Sequence, residues 1–413
     1  MSHADEAARA AERVARDSYG RLVAFLAART RDVAGAEDAL GEAFAVALRT
    51  WPTDGVPANP DAWLLTVARR RQTDAVRRRQ TRAAGEEHLT LMAEELEAAA
   101  AEPEAIPDRR LALMFACAHP AIETGMRAPL ILQTILGLTA EEIASAFLVP
   151  PATMGQRLVR AKTRIRDTGV PFGVPETPEL PERLHAVLDA IYAAYAKGWN
   201  EIGDAGVPEI AEEAIWLGRL LVSLLPDEPE AKGMLALMLH AEARRAARRD
   251  AGGAYVPLEQ QDTSLWDHSQ VALAERLLRE ASAAGPTGRY QLEAAIQSAH
   301  VARRLTGERN WPVVIKLYDH LLGLTRSPVV VLNRAVALAE VEGPEAALIA
   351  LLPIAEDKRM LGYQPFWAAR GHLLARAGKT AEAAEAFTVA MGLTTDEAVR
   401  TYLQGQLAGL RDG

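Results

Sequence analysis

The sequence predicts an all-α protein in which two small helical domains precede a longer helical solenoid. Three observations lead to this prediction. Alanine is abundant and occurs in runs such as 98–101, aromatic residues make up only 5% of the 413 residues, and apolar residues recur at spacings of three and four. Alanine has the highest helix propensity, and that spacing aligns apolar side chains on one helix face. Hydrophobic residues amount to 49%, which is enough for buried cores.

The composition excludes several classes of protein. Cys117 is the single cysteine, so the sequence excludes an internal disulfide and a cysteine-rich zinc site. No apolar run resembles a secretory signal or reaches the roughly 18 residues of a membrane span. Motifs of nucleotide-binding, zinc-protease and serine-hydrolase sites are also absent from the sequence. We therefore expect a cytoplasmic protein that is not an enzyme, holds no cofactor or metal and does not contact a membrane.

Charge is distributed unevenly along the chain. The net charge is −9 overall, but residues 1–82 carry +3, 83–108 carry −8, 109–170 carry +4 and 171–413 carry −8. Positive charge is therefore concentrated in the first 170 residues, where it forms two short clusters. Such an asymmetry indicates a nucleic-acid partner for that part of the chain only.

Acidic and proline-rich stretches divide the chain into domains. We predict a first helical domain over 1–82, an acidic linker over 83–108, a second helical domain over 109–170, a proline-rich linker over 171–181 and a long helical domain over 182–413.

The first domain is predicted to contain helices over 8–50, a loop over 51–60 and a further helix that begins near Pro60, with Asn59 as its N-cap. Seven arginines lie within 14 residues of this helix and its end. They are Arg69, Arg70, Arg71, Arg77, Arg78, Arg79 and Arg82. A solvated helix end is one interpretation of this cluster. A phosphate-binding surface is the other, and we favour it because so many guanidinium groups cannot all pair internally.

The second domain ends in two helices with a tight connection. Thr139 and Glu142 form a predicted capping box for the first helix, and Pro151 fits the first turn of the second. At about 100° per residue, the second helix has an apolar stripe and, about 110° away, a basic strip. The stripe consists of Met154, Leu158, Ala161 and Ile165, and the strip of Thr153, Arg157, Arg160 and Arg164.

These two helices fit a helix-turn-helix, whose second helix enters the major groove of DNA with its N-terminal residues near base edges. Arginine can read guanine through two hydrogen bonds, and Gln156 can read adenine. Lys162 and Arg166 lie on another flank, from which phosphates can be reached. The alternative interpretation is a solvated amphipathic helix.

The last part of the chain contains a repeat. Gly307, Gly343 and Gly378 recur at intervals of 36 and 35 residues, and the final unit resembles a tetratricopeptide repeat in its pattern of small and large side chains. The residues of that unit are Trp367, Gly371, Gly378, Ala383, Phe387 and Ala390. We therefore expect an α-solenoid over at least the last ~110 residues.

Several stretches resemble a known protein family. Residues 34–52 with 59–79 resemble region 2, and residues 137–167 resemble region 4, of the extracytoplasmic-function sigma factors, a group of the bacterial sigma-70 family. Residues 217–240 and 258–267 resemble the subgroup of these factors that has a fused tetratricopeptide-like C-terminal domain. The resemblance covers nearly the whole chain.

This resemblance implies a promoter-specificity subunit of RNA polymerase. In the family, the helix matching 34–48 docks on the clamp helices of the β′ subunit, and the region matching 127–138 meets the flap of the β subunit. The implied polymerase-binding residues are Asp38, Leu40, Glu42 and Phe44. Leu40 and Phe44 fit a place in the core equally well.

The resemblance also assigns the two basic helices to promoter DNA. The helix matching 63–79 and the loop before it melt and read the −10 element, and the helix matching 151–166 reads the −35 element. The DNA-binding residues predicted in this way are Arg69, Arg70, Arg71, Arg77, Arg78, Thr153, Gln156, Arg157, Arg160, Lys162 and Arg164.

The sequence departs from the family pattern at two places. Gly155 and Gln156 stand where many members have Lys-Ser or a similar pair, so the −35 preference of other members does not transfer. Cys117 follows an alanine where relatives often have two cysteines, and His119 is the only other candidate ligand nearby. We predict a buried thiol at Cys117 and no metal site.

The role of the C-terminal part leaves alternatives open. It can regulate the factor in cis, by masking the basic helices or by supplying contacts needed for activity, and it can hold a regulatory protein or peptide. The basic patch between His240 and Asp250 is either a packing network or a ligand pocket. A rival function for the whole chain is a helical scaffold or peptide-binding regulator whose helix-turn-helix binds DNA without engaging core polymerase.

Overall fold

The computed structural model describes residues 3–80, 108–147, 149–176, 179–200, 208–307 and 310–412. These residues form helices and no strands, apart from one isolated antiparallel bridge between Arg249 and Tyr255. The predicted all-α class is therefore confirmed. None of the helices in these ranges has the length and apolarity that crossing a membrane requires.

The chain divides into two compact units. The first comprises 1–200 with 205–214, and the second comprises 201–204 with 215–413. The finer boundaries expected from the sequence remain predictions, and the acidic linker of 83–108 lies outside the described residues except for Asp108.

The helices described in the first unit range from 8 to 28 residues in length. In chain order they are α1 (His3–Thr30), α2 (Val33–Asp54), α3 (Pro60–Gln80), α4 (Arg110–Cys117), α5 (Thr124–Leu136), α6 (Ala140–Phe147), α7 (Pro151–Asp167) and α8 (Leu180–Asn200). A further helix, α9 (Pro208–Leu224), begins in the first unit and ends in the second.

Two predicted helix caps are present. The Oδ1 atom of Asn59 accepts a hydrogen bond from the N–H of Ala62 at 3.1 Å, at the start of α3. At the start of α6, the N–H of Glu142 donates to the Thr139 hydroxyl at 3.2 Å, and the N–H of Thr139 donates to the Glu142 carboxylate at 2.6 Å. These bonds satisfy N–H groups that the first turn of a helix leaves without a partner.

The prediction of a loop over 51–60 is wrong for its first four residues. Helix α2 continues through Trp51 and Pro52 to Asp54, and Gly55 ends it with a φ of 85°. Trp51 is 2% exposed and packs edge-on against Trp63 of α3, with the ring centroids 5.4 Å apart. Burial of this indole stabilises the last turn of α2 despite the N–H that proline lacks.

Helix α1 packs against α2, α3, α4 and α5 and forms the centre of the first unit. Its closest approach is at Gly20, where an added Cβ would lie 2.1 Å from the carbonyl oxygen of Ile135 on α5. Near the same crossing, the ring of Tyr19 lies against Gly137. At the other side of α1, Arg21 forms an ion pair with Asp61 at the start of α3. Helix α1 therefore joins the helices before and after the acidic stretch.

The apolar stripe predicted on α7 is confirmed. Met154, Leu158 and Ile165 are at most 1% exposed, and Ala161 is 8% exposed. They pack in the core of the first unit and fix the rotation of α7 about its axis.

The second unit consists of consecutive helices, most of which pack on the next one along the chain. They are α10 (Pro229–Glu242), α11 (His268–Ala284), α12 (Arg289–Thr306), α13 (Trp311–Thr325), α14 (Pro328–Glu342), α15 (Pro344–Leu351), α16 (Lys358–Leu361), α17 (Gln364–Arg376), α18 (Thr380–Leu393) and α19 (Glu397–Asp412). Short 3₁₀ turns occur in the 243–267 segment and after α15.

The three repeated glycines occupy equivalent places. Gly307, Gly343 and Gly378 follow α12, α14 and α17, and all three have a positive φ, between 72° and 92°. In the last helix pair, Gly371 lies against the ring of Phe387, which leaves no room for a larger side chain. The repeat seen in the sequence therefore corresponds to a repeated turn between helices.

The segment between α10 and α11 contacts α19 and the residue that precedes it. Arg249 forms an ion pair with Asp396 at 2.6 Å, and Tyr255 packs edge-on against Tyr402 of α19 with centroids 5.5 Å apart. Residues separated by 147 positions are thereby in direct contact.

We expect Gly20→Ala to lower the free energy of unfolding by about 2–3 kcal/mol, because backbone atoms of α5 occupy the place of the new Cβ. Gly41→Ala is the matched control, since it is also a helical glycine of this unit and has no atom within 4 Å of its Cβ position. That substitution should raise the free energy by about 0.5–1 kcal/mol. Urea denaturation measures both, and equal effects would show that α1 and α5 do not approach closely.

Candidate nucleic-acid interface

The exposed side of α7 carries a row of arginines. Arg157, Arg160 and Arg164 are exposed, as is Gln156, whereas Thr153 is half-buried in the first turn. Within the residues that the structure describes, none of the three guanidinium groups forms an ion pair or a side-chain hydrogen bond. The three guanidinium groups are therefore exposed to solvent without a neutralising partner, and this arrangement suits the binding of an anionic molecule.

A groove of about 350 Å³ runs beside this row. One wall consists of Arg157, Arg160 and Arg164, and the other of the turn into α5, with Ile122, Glu123 and Met126. Guanidinium groups along a concave wall raise the local positive potential, which favours phosphate. Glu123 places one carboxylate on the opposite side, so the positive potential is strongest on the α7 side.

Val159 is an exposed apolar residue of α7 that the sequence analysis did not select, and it is 60% exposed. At about 100° per residue it lies about 100° from Arg160 and about 160° from Arg157 round the helix. It therefore belongs to the flank of α7 that carries Arg166 and not to the arginine row. The signal in the sequence was its place outside the apolar stripe.

The described arginines of α3 differ in their exposure. Arg69 is half-buried with its guanidinium 4.7 Å from the ring centroid of Phe25, and burial together with Arg29 lowers its pKa below the usual value. Arg70 is exposed, and Arg71 lies 3.3 Å from the Glu42 carboxylate of α2. The side chains of Arg77 and Arg78 lie outside the described residues.

Lys162 points away from the arginine row and toward α2. Its Nζ lies 2.5 Å from the Glu37 carboxylate, and both side chains are nearly buried, at 10% and 12% exposed. Burial raises the pKa of Glu37, and the neighbouring Lys162 opposes that rise. In this conformation the predicted phosphate contact of Lys162 is replaced by an ion pair within the protein.

Helix α2 presents an acidic face. Asp38 and Glu42 are exposed one helical turn apart, and Phe44 is half-buried. Leu40 is fully buried, so in this conformation it contributes packing. Leu48, which the sequence analysis did not select, is 51% exposed near the same face and adds apolar surface to it. An acidic face with apolar groups suits docking on a basic helical partner.

Cys117 is fully buried, as the sequence predicts for a thiol used in packing. Burial raises its pKa to about 12, and its Sγ lies 3.4 Å from the Thr134 hydroxyl. In the ranges described, no group of three or more histidine, cysteine, aspartate or glutamate side chains is arranged to hold a metal ion.

Side chains of the basic patch between His240 and Asp250 form contacts within the second unit. His240 is fully buried, burial lowers its pKa to about 4, and its Nε2 lies 3.4 Å from Glu275. Arg245 pairs with Glu242 at 2.5 Å, and Arg249 pairs with Asp396. This supports the interpretation of the patch as a packing network.

Comparison with known proteins gives two family matches and one long relative. The family model for sigma-70 region 2 matches residues 14–82, and the model of a family of unknown function, DUF6596, matches residues 183–282. The uncharacterised protein R00370 of Rhizobium meliloti (strain 1021) is 39% identical over 383 residues, which cover 90% of this chain and 89% of that protein. No solved structure matches the chain.

We expect Lys162→Ala to lower the free energy of unfolding by about 3–5 kcal/mol near neutral pH, because it leaves the buried Glu37 carboxylate without its partner. The raised pKa of Glu37 means that the folded state binds its proton more readily than the unfolded state. The loss should therefore shrink as pH falls through that raised pKa, where Glu37 becomes neutral.

Denaturation curves at a series of pH values from about 8 downward measure this dependence. Lys379→Ala is the control, since Lys379 is about half exposed and only 3.9 Å from Glu382. Its effect should stay below about 1 kcal/mol. A loss for Lys162→Ala that matches the control would contradict the buried pair.

Proposed function

We propose that this chain is an extracytoplasmic-function-type sigma factor. It belongs to the sigma-70 family through its N-terminal region 2. Over nearly its whole length it belongs to the family of the uncharacterised Rhizobium protein. It binds core RNA polymerase in the cytoplasm and directs it to promoters, while the polymerase performs the chemistry. The region 2 match carries this proposal, and the exposed arginine row of α7 supports it.

In this proposal α6 and α7 act as the helix-turn-helix that reads the −35 element. Gln156, Arg157 and Arg160 reach base edges, and Arg164 contacts the backbone. What supports these roles is that the four side chains are exposed while the opposite side of α7 is buried. Thr153 approaches the DNA from the first turn of the helix.

The −10 element is contacted by α3 and by the turn at 55–59 before it. Arg70 and Arg71 are the described arginines available to phosphate, and Arg77 and Arg78 complete the predicted set. Arg69 acts mainly by packing on Phe25. Exposed guanidinium groups on α3 suit a sequence-independent grip on the DNA backbone during strand separation.

Core polymerase is bound by the acidic face of α2 and by the surface around 127–138. Asp38 and Glu42 supply charge, and Phe44 with Leu48 supply apolar contact to the β′ clamp helices. The exposure of an acidic face beside an exposed leucine supports this role. The flap of the β subunit is the expected partner of the second surface.

The C-terminal part over 182–413 is proposed to be a tetratricopeptide-like solenoid that regulates the factor in cis. Support comes from the stacked helices of the second unit and the repeated glycine turns. Residues 171–413 carry a net charge of −8, which suits contact with basic surfaces or with a basic regulatory peptide or protein. At a Debye length of about 8 Å, such regulation requires direct contact.

Transcription with purified components tests the central proposal. The full chain and purified core polymerase are incubated with sheared genomic DNA, and the 5′ ends of the transcripts are sequenced. We expect new start sites that share a motif at −10 and −35, absent when the chain is omitted. No new start sites would refute a sigma-factor role.

We expect Arg157→Ala and Arg160→Ala each to weaken binding to a promoter recovered in that experiment by about 1–3 kcal/mol, because each loses contacts to a base. Arg359→Ala, a control in the second unit whose guanidinium pairs with Asp357, should leave binding unchanged. Filter binding to the promoter and to a mixed-sequence duplex measures the effect. Equal losses on both duplexes would reassign these arginines to phosphate contacts.

We expect charge reversal of Asp38 and Glu42 to lysine to abolish co-purification with core polymerase, because the partner surface is basic. Glu345→Lys with Glu356→Lys, at two exposed positions of the second unit, is the control for the same change in net charge. Retained polymerase binding by the double variant would favour the rival function, a DNA-binding helical regulator that acts without core polymerase.

A further inference from the structure

We propose that the second unit binds a small aromatic amine in a cavity between α12, α13, α14 and the segment that precedes α11. The inference goes beyond the proposed function, because it concerns the second unit alone and its test requires neither polymerase nor DNA. The ligand class follows from the size of the cavity, from the segment that covers it and from the side chains in its wall.

The cavity has a volume of about 200 Å³. Its walls come from α12, from the first half of α13 and from α14, and Leu258 and Glu259 close it on another side. An apolar cavity of about 150 Å³ can hold benzene, and pockets for drug-sized molecules begin at about 300 Å³. The space therefore suits one aromatic ring with a short substituent.

Residues 249–260 form a strap across this side of the helical stack. At one end of the stack, Leu258 packs against a buried cluster that includes Val301 of α12. At the other end, Tyr255 packs against Tyr402 of α19. A peptide that bound along the same side would have to displace the strap, whereas a small molecule in the cavity leaves it in place. A small molecule is therefore favoured over the regulatory peptide that the sequence leaves open.

Aromatic side chains of α13 form part of the wall. Trp311 and Tyr318 are partly buried and lie on one face of the helix, with Val314 between them. Trp311 also packs edge-on against His300 of α12, with the ring centroids 5.6 Å apart. Aromatic rings attract one another in offset and edge-on arrangements at such distances. An aromatic ligand therefore finds ring partners on this wall.

Two amides and one carboxylate also line the cavity. Asn310 precedes α13, where an asparagine normally caps the helix, but within the described residues its side chain forms no such hydrogen bond. Its amide is therefore available to a ligand, and Asn333 of α14 supplies the second amide. Glu259 supplies the carboxylate, and the described lining contains no lysine or arginine. These charges favour a cation over an anion.

The negative charge of Glu259 also acts on a neighbouring helix. Burial and Arg376 lower the pKa of His372 on α17, and Glu259 opposes that shift. The carboxylate therefore lies on the side of the stack that the strap covers. We expect the ammonium group of the ligand to lie near Glu259, and its ring to lie against Trp311 and Tyr318.

Three phenols of similar size and different charge test the ligand class. Isothermal titration calorimetry of the full chain at about pH 7 uses tyramine, a cation, 4-ethylphenol, which is neutral, and 4-hydroxyphenylacetate, an anion. We expect tyramine to bind at a single site with a Kd below about 1 mM. The neutral phenol should bind about three- to tenfold more weakly than tyramine, and the anion more than about tenfold more weakly. Absence of saturable tyramine binding, or equal affinity for the three probes, would overturn the inference.

Filling the cavity tests where the probe binds. Ala299 of α12 lines the cavity, so Ala299→Met should weaken tyramine binding at least about tenfold. Ala283→Met, the same change at an exposed position of α11, is the matched control and should leave the Kd unchanged. Asn333→Ala, at an exposed position of α14, adds no bulk and should weaken binding about three- to tenfold. Wild-type affinity in both cavity variants would place the binding elsewhere and refute the assignment.

The carboxylate is tested by the ratio of two Kd values. Glu259→Gln should remove most of the preference for tyramine over 4-ethylphenol, because the charge that attracts the ammonium group is lost. Glu345→Gln, at an exposed position of α15, should retain the wild-type preference. An unchanged ratio in Glu259→Gln would contradict the choice of an amine as the ligand.

A synthetic peptide of residues 249–260 distinguishes a small molecule from a peptide ligand. Because the strap already covers this side of the stack in the full chain, we expect no saturable binding of the peptide and no competition with tyramine. A peptide that binds and displaces tyramine would overturn the small-molecule assignment and would favour a regulatory peptide.

Discussion

The division of α7 into a buried apolar side and an exposed basic side is the constraint on which the first unit depends. Burial of a large apolar side chain is worth about 1.5–3 kcal/mol, so three of them with Ala161 hold the helix firmly in one rotation. A shift by one residue would turn the arginines by about 100° into the core. The packing of the apolar stripe therefore determines where the arginines of α7 are exposed.

Local features of the fold could be predicted because they depend on residues close in sequence. The Asn59 cap, the Thr139–Glu142 capping box and the stripe of α7 follow from spacings of three and four. The exposed arginine row follows from the same geometry. Only the extent of α2 was misjudged, because proline and glycine indicated a turn where the burial of Trp51 extends the helix.

Contacts between distant residues could not be predicted in this way. Lys162 and Glu37 are 125 residues apart, and helical periodicity alone cannot tell which charged flank meets another helix. The packing of Arg69 on Phe25 likewise removes one arginine from a cluster that looks uniform in sequence. Sequence reasoning therefore identified the basic helices but not how the fold distributes their charges between solvent and partner helices.

The contact between Arg249 and Asp396 changes how the second unit should respond to heat or denaturant. In a simple repeat array each element touches only its neighbours, so the ends can fray while the middle persists. Here Arg249, near the start of the unit, is paired with Asp396, which lies 147 residues later and directly before the last helix. Melting of that terminal helix also releases the early segment, so the stack is expected to unfold as one cooperative body rather than repeat by repeat.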